Sequence, residues 1–294
     1  MSELRVDAPG GRVLQVWVEG PDGGDLVIAH HGTPSSGLPF APSVRQAAGR
    51  GLRHVTYSRP GYGDSTRDEG RSVADCAGDV AAIADALGAD TFSTYGGSGG
   101  GPHALACGGL VPDRVRAVAS IAGVVPWGAE GVDFLEGMGQ DNHVEFGAAA
   151  AGPAALKAWM DEHAQDTAEV ASAEDLLKAF GDLVSPVDRA ALSGEFGEHM
   201  VENERIALAG GYWGWYDDDL AFTRDWGFDP AEIAVPVSIW QGRQDRFVPF
   251  THGEWLAGHV SGARAHLLDE QGHLSLALAS FGEILDDLID LGNG

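Results

Sequence analysis

A glycine-rich turn, Tyr95-Gly96-Gly97-Ser98-Gly99-Gly100-Gly101, follows the apolar run 91–95 and precedes a helical segment that starts near Pro102. The turn has the form G-x-S-x-G, in which a strand bends sharply into a helix and lifts a serine hydroxyl above the sheet. Gly96 and Gly100 occupy the two positions where the crowded backbone of such a turn excludes a side chain. The sequence therefore predicts that Ser98 is a nucleophile.

A phosphate-binding loop is the main alternative for this stretch, because a chain with 43 glycines forms short glycine patterns by chance. A P-loop needs Gly-Lys-Ser/Thr, and a dinucleotide-binding loop needs G-x-G-x-x-G near the first strand of a βαβ unit. Neither pattern is present at residues 95–101. The nucleophile turn is therefore the better interpretation.

Short β-rich runs alternate with helical runs up to about residue 125 and again after residue 234. The predicted strands are 13–18, 25–29, 54–57, 91–95, 115–121, 235–240 and 264–268. The predicted helices are 44–50, 73–87, 102–110, 254–259 and 274–291. This alternation predicts an α/β fold with a parallel sheet that carries helices on both faces.

The alternation breaks in the middle of the chain, in a helical stretch that holds five of the eight tryptophans. We therefore predict a core formed by residues 1–126 and 233–294, with an inserted helical cap at residues 127–232. An insert between two sheet strands should lie above the strand ends where the chemistry takes place. Trp127, Trp213 and Trp215 are the candidates for the wall of a small-molecule pocket.

The composition excludes several classes of function. A net charge of −26 and a pI of about 4.5 disfavour nucleic acid and anionic membranes as partners, because an acidic surface repels polyphosphate. No apolar run reaches membrane-spanning length and no secretory signal is visible, so we expect a cytoplasmic protein whose partner is a small-molecule substrate. Cys76 and Cys107 lack metal-ligand spacing, which predicts neither a metal site nor a disulfide. The oligomeric state stays open.

A serine nucleophile needs a base, usually a histidine that a carboxylate orients. Asp245 follows the predicted strand 235–240, and His273 follows the last predicted strand, 264–268. The carboxyl ends of parallel strands lie at one edge of a sheet, so Ser98, Asp245 and His273 should meet there. Their order along the chain, Ser-Asp-His, is the one this architecture uses.

Two more motifs make a family resemblance visible. His31-Gly32-Thr33-Pro34 resembles an H-G-x-P loop, and residues 59–65, Arg-Pro-Gly-Tyr-Gly-Asp-Ser, resemble an R-P-G-x-G-x-S turn. Together with the nucleophile turn, Asp245 and His273, they resemble the α/β-hydrolase-fold superfamily of serine hydrolases with a helical cap, over nearly the whole chain outside 127–232. The resemblance implies a mostly parallel, doubly wound, eight-stranded sheet, no cofactor and no metal. It also implies an oxyanion hole formed by the backbone amides of Thr33 and Gly99.

The chain departs from the family pattern at a few positions. Ser58 stands where many relatives have an aspartate, which should alter local bracing more than chemistry. Gly99 replaces a larger residue, which suggests a roomier oxyanion pocket. A serine at the turn argues against epoxide hydrolases and haloalkane dehalogenases, whose nucleophile is an aspartate. The H-G-T-P loop lacks the H-G-G-P-G form of proline iminopeptidases.

Other titratable residues in these motifs are interpreted as structural. His31 should brace its own loop, and His30 and His103 should pack in the core. Asp64 should cap or solvate its turn. Asp133 is the best substitute if Asp245 is not the catalytic acid.

The predicted reaction is hydrolysis of a small-molecule ester through an acyl-enzyme intermediate. Aminopeptidase or amidase activity is the first alternative, because Glu202 and Glu204 could hold a substrate ammonium group. Hydrolysis of a carbon-carbon bond uses a closely similar triad and also stays open. A catalytically silent small-molecule receptor on the same scaffold is the alternative of another class.

Overall fold

The sheet is the centre of the molecule. The computed structural model describes residues 2–294, apart from the side chain of Asp166. Within them the strands are Ser2–Ala8 (β1), Arg12–Glu19 (β2), Asp25–His30 (β3), Leu52–Tyr57 (β4), Phe92–Gly97 (β5), Val115–Ile121 (β6), Val237–Gly242 (β7) and Arg264–Leu268 (β8).

The strands form one sheet in the order β1-β2-β4-β3-β5-β6-β7-β8. β2 runs antiparallel to β1 and β4, whereas the pairs from β4 to β8 are parallel. The mostly parallel, eight-stranded sheet expected from the sequence is therefore confirmed. Seven of the eight strands overlap predicted ones, and β1 was missed.

Helices cover both faces of the sheet. Those of the core are Ala41–Ala48 (α1), Cys76–Ala86 (α2), Gly100–Leu110 (α3), Phe250–His259 (α10), His273–Ala279 (α11) and Phe281–Asn293 (α12). Neighbouring strand residues contribute to opposite faces: Ile28 and Val118 pack in one hydrophobic cluster, and Val27 and Ala119 pack in the other. This alternation is the period-two pattern of a sheet that is buried on both sides.

Six helices lie between β6 and β7 in the described chain, and we refer to them as the helical insert. They are Gln140–Ala151 (α4), Pro153–Ala168 (α5), Ala173–Ala179 (α6), Pro186–Ala191 (α7), Gly194–Ala207 (α8) and Trp213–Phe222 (α9). The expected cap boundaries at residues 127 and 232 fall before α4 and after α9, in the segments that connect the insert to the sheet.

The terminal helix differs from the prediction. Residues 274–291 were expected to form one helix, but the helix breaks at Ser280, whose φ and ψ are −104° and 3°. The break lets α11 pack against α7 of the insert while α12 packs against the sheet. No helix of the described residues combines the length and hydropathy that crossing a bilayer requires.

Candidate active site

The nucleophile turn is held in a strained conformation. Ser98 lies between β5 and α3 and has a positive φ of 53°, which residues other than glycine rarely adopt. A Cβ atom at Gly96 would overlap the carbonyl oxygen of Gly100, and one at Gly100 would lie 2.7 Å from the carbonyl oxygen of His31. Both positions therefore require glycine, as the sequence pattern indicated.

Backbone hydrogen bonds tie the loops at this edge of the sheet together. The Ser98 N–H donates to the carbonyl of Ile121 at the end of β6, at 2.8 Å. The Arg243 N–H, after β7, donates to the carbonyl of Leu268 at the end of β8, at 2.9 Å. The loops after β5 and β7 are thus each fixed to the end of the neighbouring strand.

Asp245 and His273 meet at that edge. The imidazole Nδ1 of His273 lies 2.7 Å from Oδ2 of Asp245, and both side chains are buried. The other oxygen of Asp245 accepts the backbone N–H groups of Phe247 and Val248, and Gln241 donates a side-chain N–H to Oδ2. Four donors therefore fix the carboxylate, and His273 keeps its Nε2 free of any hydrogen bond to the described residues.

Burial and charge act on His273 in opposite directions. Burial lowers the pKa of the imidazole, but the negative charge and hydrogen bond of Asp245 outweigh it, so the pKa lies above the ordinary value of 6.5. Burial raises the pKa of Asp245, and the hydrogen bonds from His273 and the Val248 amide oppose this rise. With Nδ1–H donated to Asp245, the Nε2 lone pair of the neutral ring is the free acceptor, as a general base requires.

Ser98 shares a cavity with the loop that carries Asp245, but its hydroxyl makes no direct hydrogen bond to His273 in the described structure. Ser98, Phe247 and Val248 all line this cavity. The Phe247 ring stacks on the His273 imidazole with the ring centroids 4.8 Å apart. Hydrogen bonds between nucleophile and base often tighten only when substrate binds. The arrangement thus places a fixed base next to the cavity that contains the serine.

Thr33 and Gly99 line the same cavity, and their backbone N–H groups donate to no partner in the described residues. The expectation that Gly99 leaves a roomier pocket is wrong. A Cβ at Gly99 would lie 2.9 Å from Cζ of Phe222 and 2.9 Å from Cβ of Thr33. The space of the missing side chain is filled by these two residues, so the region is tightly packed.

A buried ion pair braces the Thr33 loop. The Arg59 guanidinium donates to the carbonyls of His31 and Gly32 and to Oγ1 of Thr33. It also pairs with Asp218 of α9 at 2.6 Å, and Asp218 in turn accepts the Thr33 hydroxyl at 2.7 Å. The helical insert thus helps to position the loop. This role of Asp218 was not predicted, because an acidic run in the sequence gives no sign of its buried partners.

The remaining motif residues have structural environments. His103 donates from Nδ1 to the Gly99 carbonyl, and burial lowers its pKa to about 3, so its ring is neutral. Asp64 forms an exposed ion pair with Arg5, and Asp133 accepts a local backbone N–H.

Structural environments also surround His30, His31 and Ser58. The His30 ring contacts the Tyr57 hydroxyl, and His31 accepts the Arg59 N–H at Nε2. Ser58 accepts the Gly37 N–H, in keeping with a bracing role.

Asp188 of the insert contacts the backbone at the start of α11, where His273 lies. This contact was not predicted from the sequence. Its carboxylate is fully buried and accepts the N–H groups of His273, Leu274 and Ser275 at the start of α11, at 2.8–3.0 Å. A Cβ at Gly272 would lie 2.6 Å from Cγ of Asp188, so glycine is needed there. The sequence Ser185-x-x-Asp188 indicates a local helix start, but it does not reveal this long-range contact.

The cavity has a volume of about 350 Å³ and lies between the sheet edge and the helical insert. Of the three tryptophans predicted for its wall, Trp215 is among the described lining residues, and Trp159 lines it as well. Trp127 and Trp213 are not: Trp127 packs against Phe134, and Trp213 packs under the guanidinium of Arg67. The prediction for these two residues is wrong, because each ring finds an alternative packing partner.

The family model of the alpha/beta hydrolase fold matches residues 25–279, which include Ser98, Asp245 and His273. The chain belongs to this family. The resemblance seen in the sequence motifs is confirmed.

Relatives of this α/β-hydrolase carry hydrolase names. Epoxide hydrolase B of Mycobacterium tuberculosis is 30% identical over 160 residues, which make up 52% of this chain and 44% of that protein, so less than half of its length is matched. A 2-hydroxy-6-oxononadienedioate/2-hydroxy-6-oxononatrienedioate hydrolase of Pseudomonas putida is 24% identical over 265 residues, 86% of this chain and 82% of that protein. A solved esterase structure from Exiguobacterium antarcticum shares the fold, with a TM-score of 0.71, 19% identity and full coverage of both chains. The chain therefore shares the fold and the family of these proteins.

Among the described residues, four acidic side chains of the insert line the cavity: Asp141, Glu145, Glu204 and Asp219. Of the two glutamates expected near a substrate, Glu204 is buried in the cavity wall, whereas Glu202 forms an exposed ion pair with Arg205. No group of three or more histidine, cysteine or acidic side chains among the described residues is arranged to hold a metal ion. Cys76 and Cys107 are buried free thiols.

Proposed function

We propose that this α/β-hydrolase cleaves a small-molecule ester through an acyl-enzyme intermediate, with Ser98 as the nucleophile, His273 as the base and Asp245 as the orienting acid. The observation that carries the proposal is the His273–Asp245 hydrogen bond of 2.7 Å at the sheet edge where Ser98 stands in its strained turn. A pure binding protein would not need a base with one nitrogen fixed and the other left free.

In the proposed reaction, Oγ of Ser98 attacks the carbonyl carbon of the ester while Nε2 of His273 takes the hydroxyl proton. The tetrahedral intermediate collapses as the imidazolium gives that proton to the leaving alcohol. Water then attacks the acyl-enzyme, again losing a proton to His273, and the proton returns to Ser98 as the acid departs. The raised pKa of His273 suits both roles, because the ring must be neutral to start and charged halfway.

The negative charge of the tetrahedral intermediate needs hydrogen-bond donors. The backbone N–H groups of Thr33 and Gly99 are the proposed oxyanion hole, since both residues line the cavity and neither amide is engaged. Two such donors are worth several kcal/mol of barrier, because losing one costs about 3–4 kcal/mol. The helical insert, which supplies the opposite wall of the cavity, is proposed to act as the cap.

Epoxide hydrolysis is a weaker candidate, although an epoxide hydrolase is among the relatives. Epoxide opening in this fold relies on a carboxylate nucleophile, and the turn holds Ser98 in that place. The match also spans less than half of that relative's length.

Carbon-carbon bond hydrolysis is the second candidate function, favoured by the Pseudomonas putida relative that matches most of both chains. The name of that protein's substrate, a dioate, denotes two carboxylates. Among the described residues, the cavity wall has four acidic side chains and no lysine or arginine. A dianion would find no cationic partner there, so the wall favours a neutral or cationic ester.

The proposal is tested by covalent labelling and by a choice of substrates. A fluorophosphonate probe should label the wild type and leave Ser98→Ala unlabelled, and equal labelling of both would revive the receptor interpretation. Short p-nitrophenyl esters should be hydrolysed faster than aminoacyl anilides, because an alcohol leaves more easily than an amine. Turnover of the anilides alone would replace the ester proposal with an amidase.

A further inference from the structure

Helix α9 contains three consecutive buried aspartates with unequal partners. Asp217 pairs with Arg67 and Arg71, and Asp218 pairs with Arg59 and Arg71. Asp219 is 0% exposed, and neither of its carboxyl oxygens accepts a hydrogen bond from an amide, hydroxyl or cationic group of the described residues. A buried carboxylate without a partner is strongly disfavoured. Arginine side chains thus neutralise Asp217 and Asp218. Asp219, which lines the cavity, has no cationic partner among the described residues.

Two further carboxyl groups stand in the same wall. Glu145 of α4 lies within hydrogen-bonding reach of Asp219, but two carboxyl groups can bond only when one of them holds a proton. Glu204 of α8 is 3% exposed and makes no side-chain hydrogen bond in the described structure; its Oε2 is enclosed and without a donor. We call Glu145, Glu204 and Asp219 the carboxyl cluster.

Aromatic rings surround the cluster. The Trp215 indole donates its N–H to Oε1 of Glu145 at 2.6 Å, which orients that carboxyl group. Trp159 stands edge-on to Trp215 with centroids 5.4 Å apart, and both rings line the cavity together with Phe222. Aromatic faces attract cations, and their attraction strengthens where water is excluded.

The cluster lies close to the proposed reaction centre. Asp219 and Phe222 are three residues apart on α9, about one helical turn or 4.5 Å along the axis. Phe222 packs against Gly99, the residue after Ser98. A group bound at the cluster therefore lies in the same cavity as Ser98, on the wall that Phe222 extends to the nucleophile turn.

We infer that the carboxyl cluster binds a protonated amino group on the ester substrate. A primary ammonium group offers three N–H donors, whereas the described structure supplies the Glu145–Asp219 pair with one donor, the Trp215 indole, and Glu204 in the same cavity wall with none. The inference names a substrate class for the proposed function and rests on it, but the binding itself does not require turnover.

Burial favours the protonated form of these carboxyl groups when no cation is present. Burial raises the pKa of Glu145 to about 7 and that of Glu204 to about 8, and burial together with the charge of Glu145 raises the pKa of Asp219. The other titratable groups in the wall are Asp141 of α4 and His163 of α5, while Asp218 behind Asp219 is held by its arginines. An ammonium group must displace protons, so its affinity should rise with pH between 6 and 8.

The experiment uses benzylamine, a cation, and benzyl alcohol, its uncharged counterpart, with the fluorescence of the wall tryptophans as the readout. It is run on Ser98→Ala, so that failure of the hydrolase proposal does not affect it. Benzylamine should bind at least tenfold more tightly than the alcohol at pH 8, with tenfold weaker binding at pH 6. Calorimetry in buffers of different ionisation enthalpy should detect proton release.

Variants locate the site. Glu145→Gln combined with Asp219→Asn should remove the preference for the amine, and Glu204→Gln alone should weaken it. Glu202→Gln, on the same helix as Glu204 but exposed and paired with Arg205, should bind like the parent. Equal affinity of the parent for amine and alcohol, or a preference that survives the double substitution, overturns the inference. The comparison of benzylamine with benzyl alcohol uses only Ser98→Ala. The inference can therefore be overturned even if the double variant does not fold.

Discussion

Buried carboxylates on the sheet side and on the insert side of the site differ in how many hydrogen bonds they accept. On the sheet side, Asp245 accepts four hydrogen bonds, one of them from the His273 ring, which is thereby held in place. On the insert side, Asp219 accepts no hydrogen bond from a fixed donor among the described residues, and Glu204 makes none with its side chain there. The hydrogen bonding of the sheet side is thus complete in itself, as the proposed reaction centre requires. The insert side is incomplete, which is what a binding surface looks like when its partner comes from outside.

The largest effect should come from the sheet side. Asp245→Asn should lower kcat/KM about 10⁴-fold, because the imidazole loses its orienting acid and tautomer control. The acid limb of the pH–rate profile should also move to lower pH than in the wild type. The Asp245 charge raises the pKa of His273, so without that charge the ring becomes neutral at lower pH. Rate profiles from pH 5 to 9 measure both effects. Asp133→Asn, the exposed alternative acid, serves as the control and should behave like the wild type.

Gly99→Ala should give the next largest effect. A methyl group there would press on Thr33 and Phe222 and displace the proposed oxyanion donors. Loss of one such donor lowers kcat about 10²–10³-fold. The matched control is Gly97→Ala, where a Cβ would meet nothing within 4 Å. Steady-state kinetics on both variants would refute the oxyanion assignment if their kcat values were equal.

Asp188→Asn probes the contact between the two sides and should lower kcat about tenfold with little change in KM. Removing the charge weakens three N–H contacts at the start of α11, and disrupting buried hydrogen bonds of this kind costs about 1–3 kcal/mol. Asp188 also raises the pKa of His273, so the acid limb of the rate profile should move to lower pH. If Asp188 had a purely structural role, its substitution would lower thermal stability and leave the acid limb of the rate profile at the wild-type pH. Asp175→Asn, which alters an exposed helix cap of the insert, is the control.

The smallest effect on catalysis should come from Glu204 on the insert side, where the change appears in stability. The pKa of Glu204 is about 8 in the folded protein against an ordinary 4.5, so the folded state binds the proton more tightly. Stability is then lost as pH rises from 4.5 to 8 and no further above it. Glu204→Gln should therefore unfold like the wild type at pH 4.5 and be several kcal/mol more stable at pH 9, because each unit of pKa difference is worth about 1.4 kcal/mol. Denaturant titrations at both pH values test this, with Glu202→Gln as the unaffected comparison.

The sheet side was largely predictable, because its chemistry depends on local rules. The positive φ of Ser98 and the crowding at Gly96 and Gly100 require a glycine pattern that is visible in sequence. Asp245 and His273 follow strands, and parallel strands place such residues at one edge. Whether they act as a triad with Ser98 stays a prediction.

Other features depend on contacts that no local pattern encodes. The run Asp217-Asp218-Asp219 resembles a solvated acidic face, and its burial becomes possible only through arginines near residues 59–71. Strand β1 was missed because three of its first four side chains are polar and all four are exposed, as on an edge strand that pairs only with β2. Trp159 lines the cavity, whereas Trp127 packs against Phe134. The number of tryptophans in residues 127–232 does not reveal which of them takes which position.

The arginine pairs of Asp218 have a consequence for how molecules reach Ser98. Swinging α9 away from the core would strip this carboxylate of its guanidinium partners, and breaking a buried pair costs about 3–5 kcal/mol. Val144 of α4 offers another route, since it lines the cavity and is 47% exposed. We therefore expect small molecules to enter and leave the cavity beside Val144 while α9 stays in place.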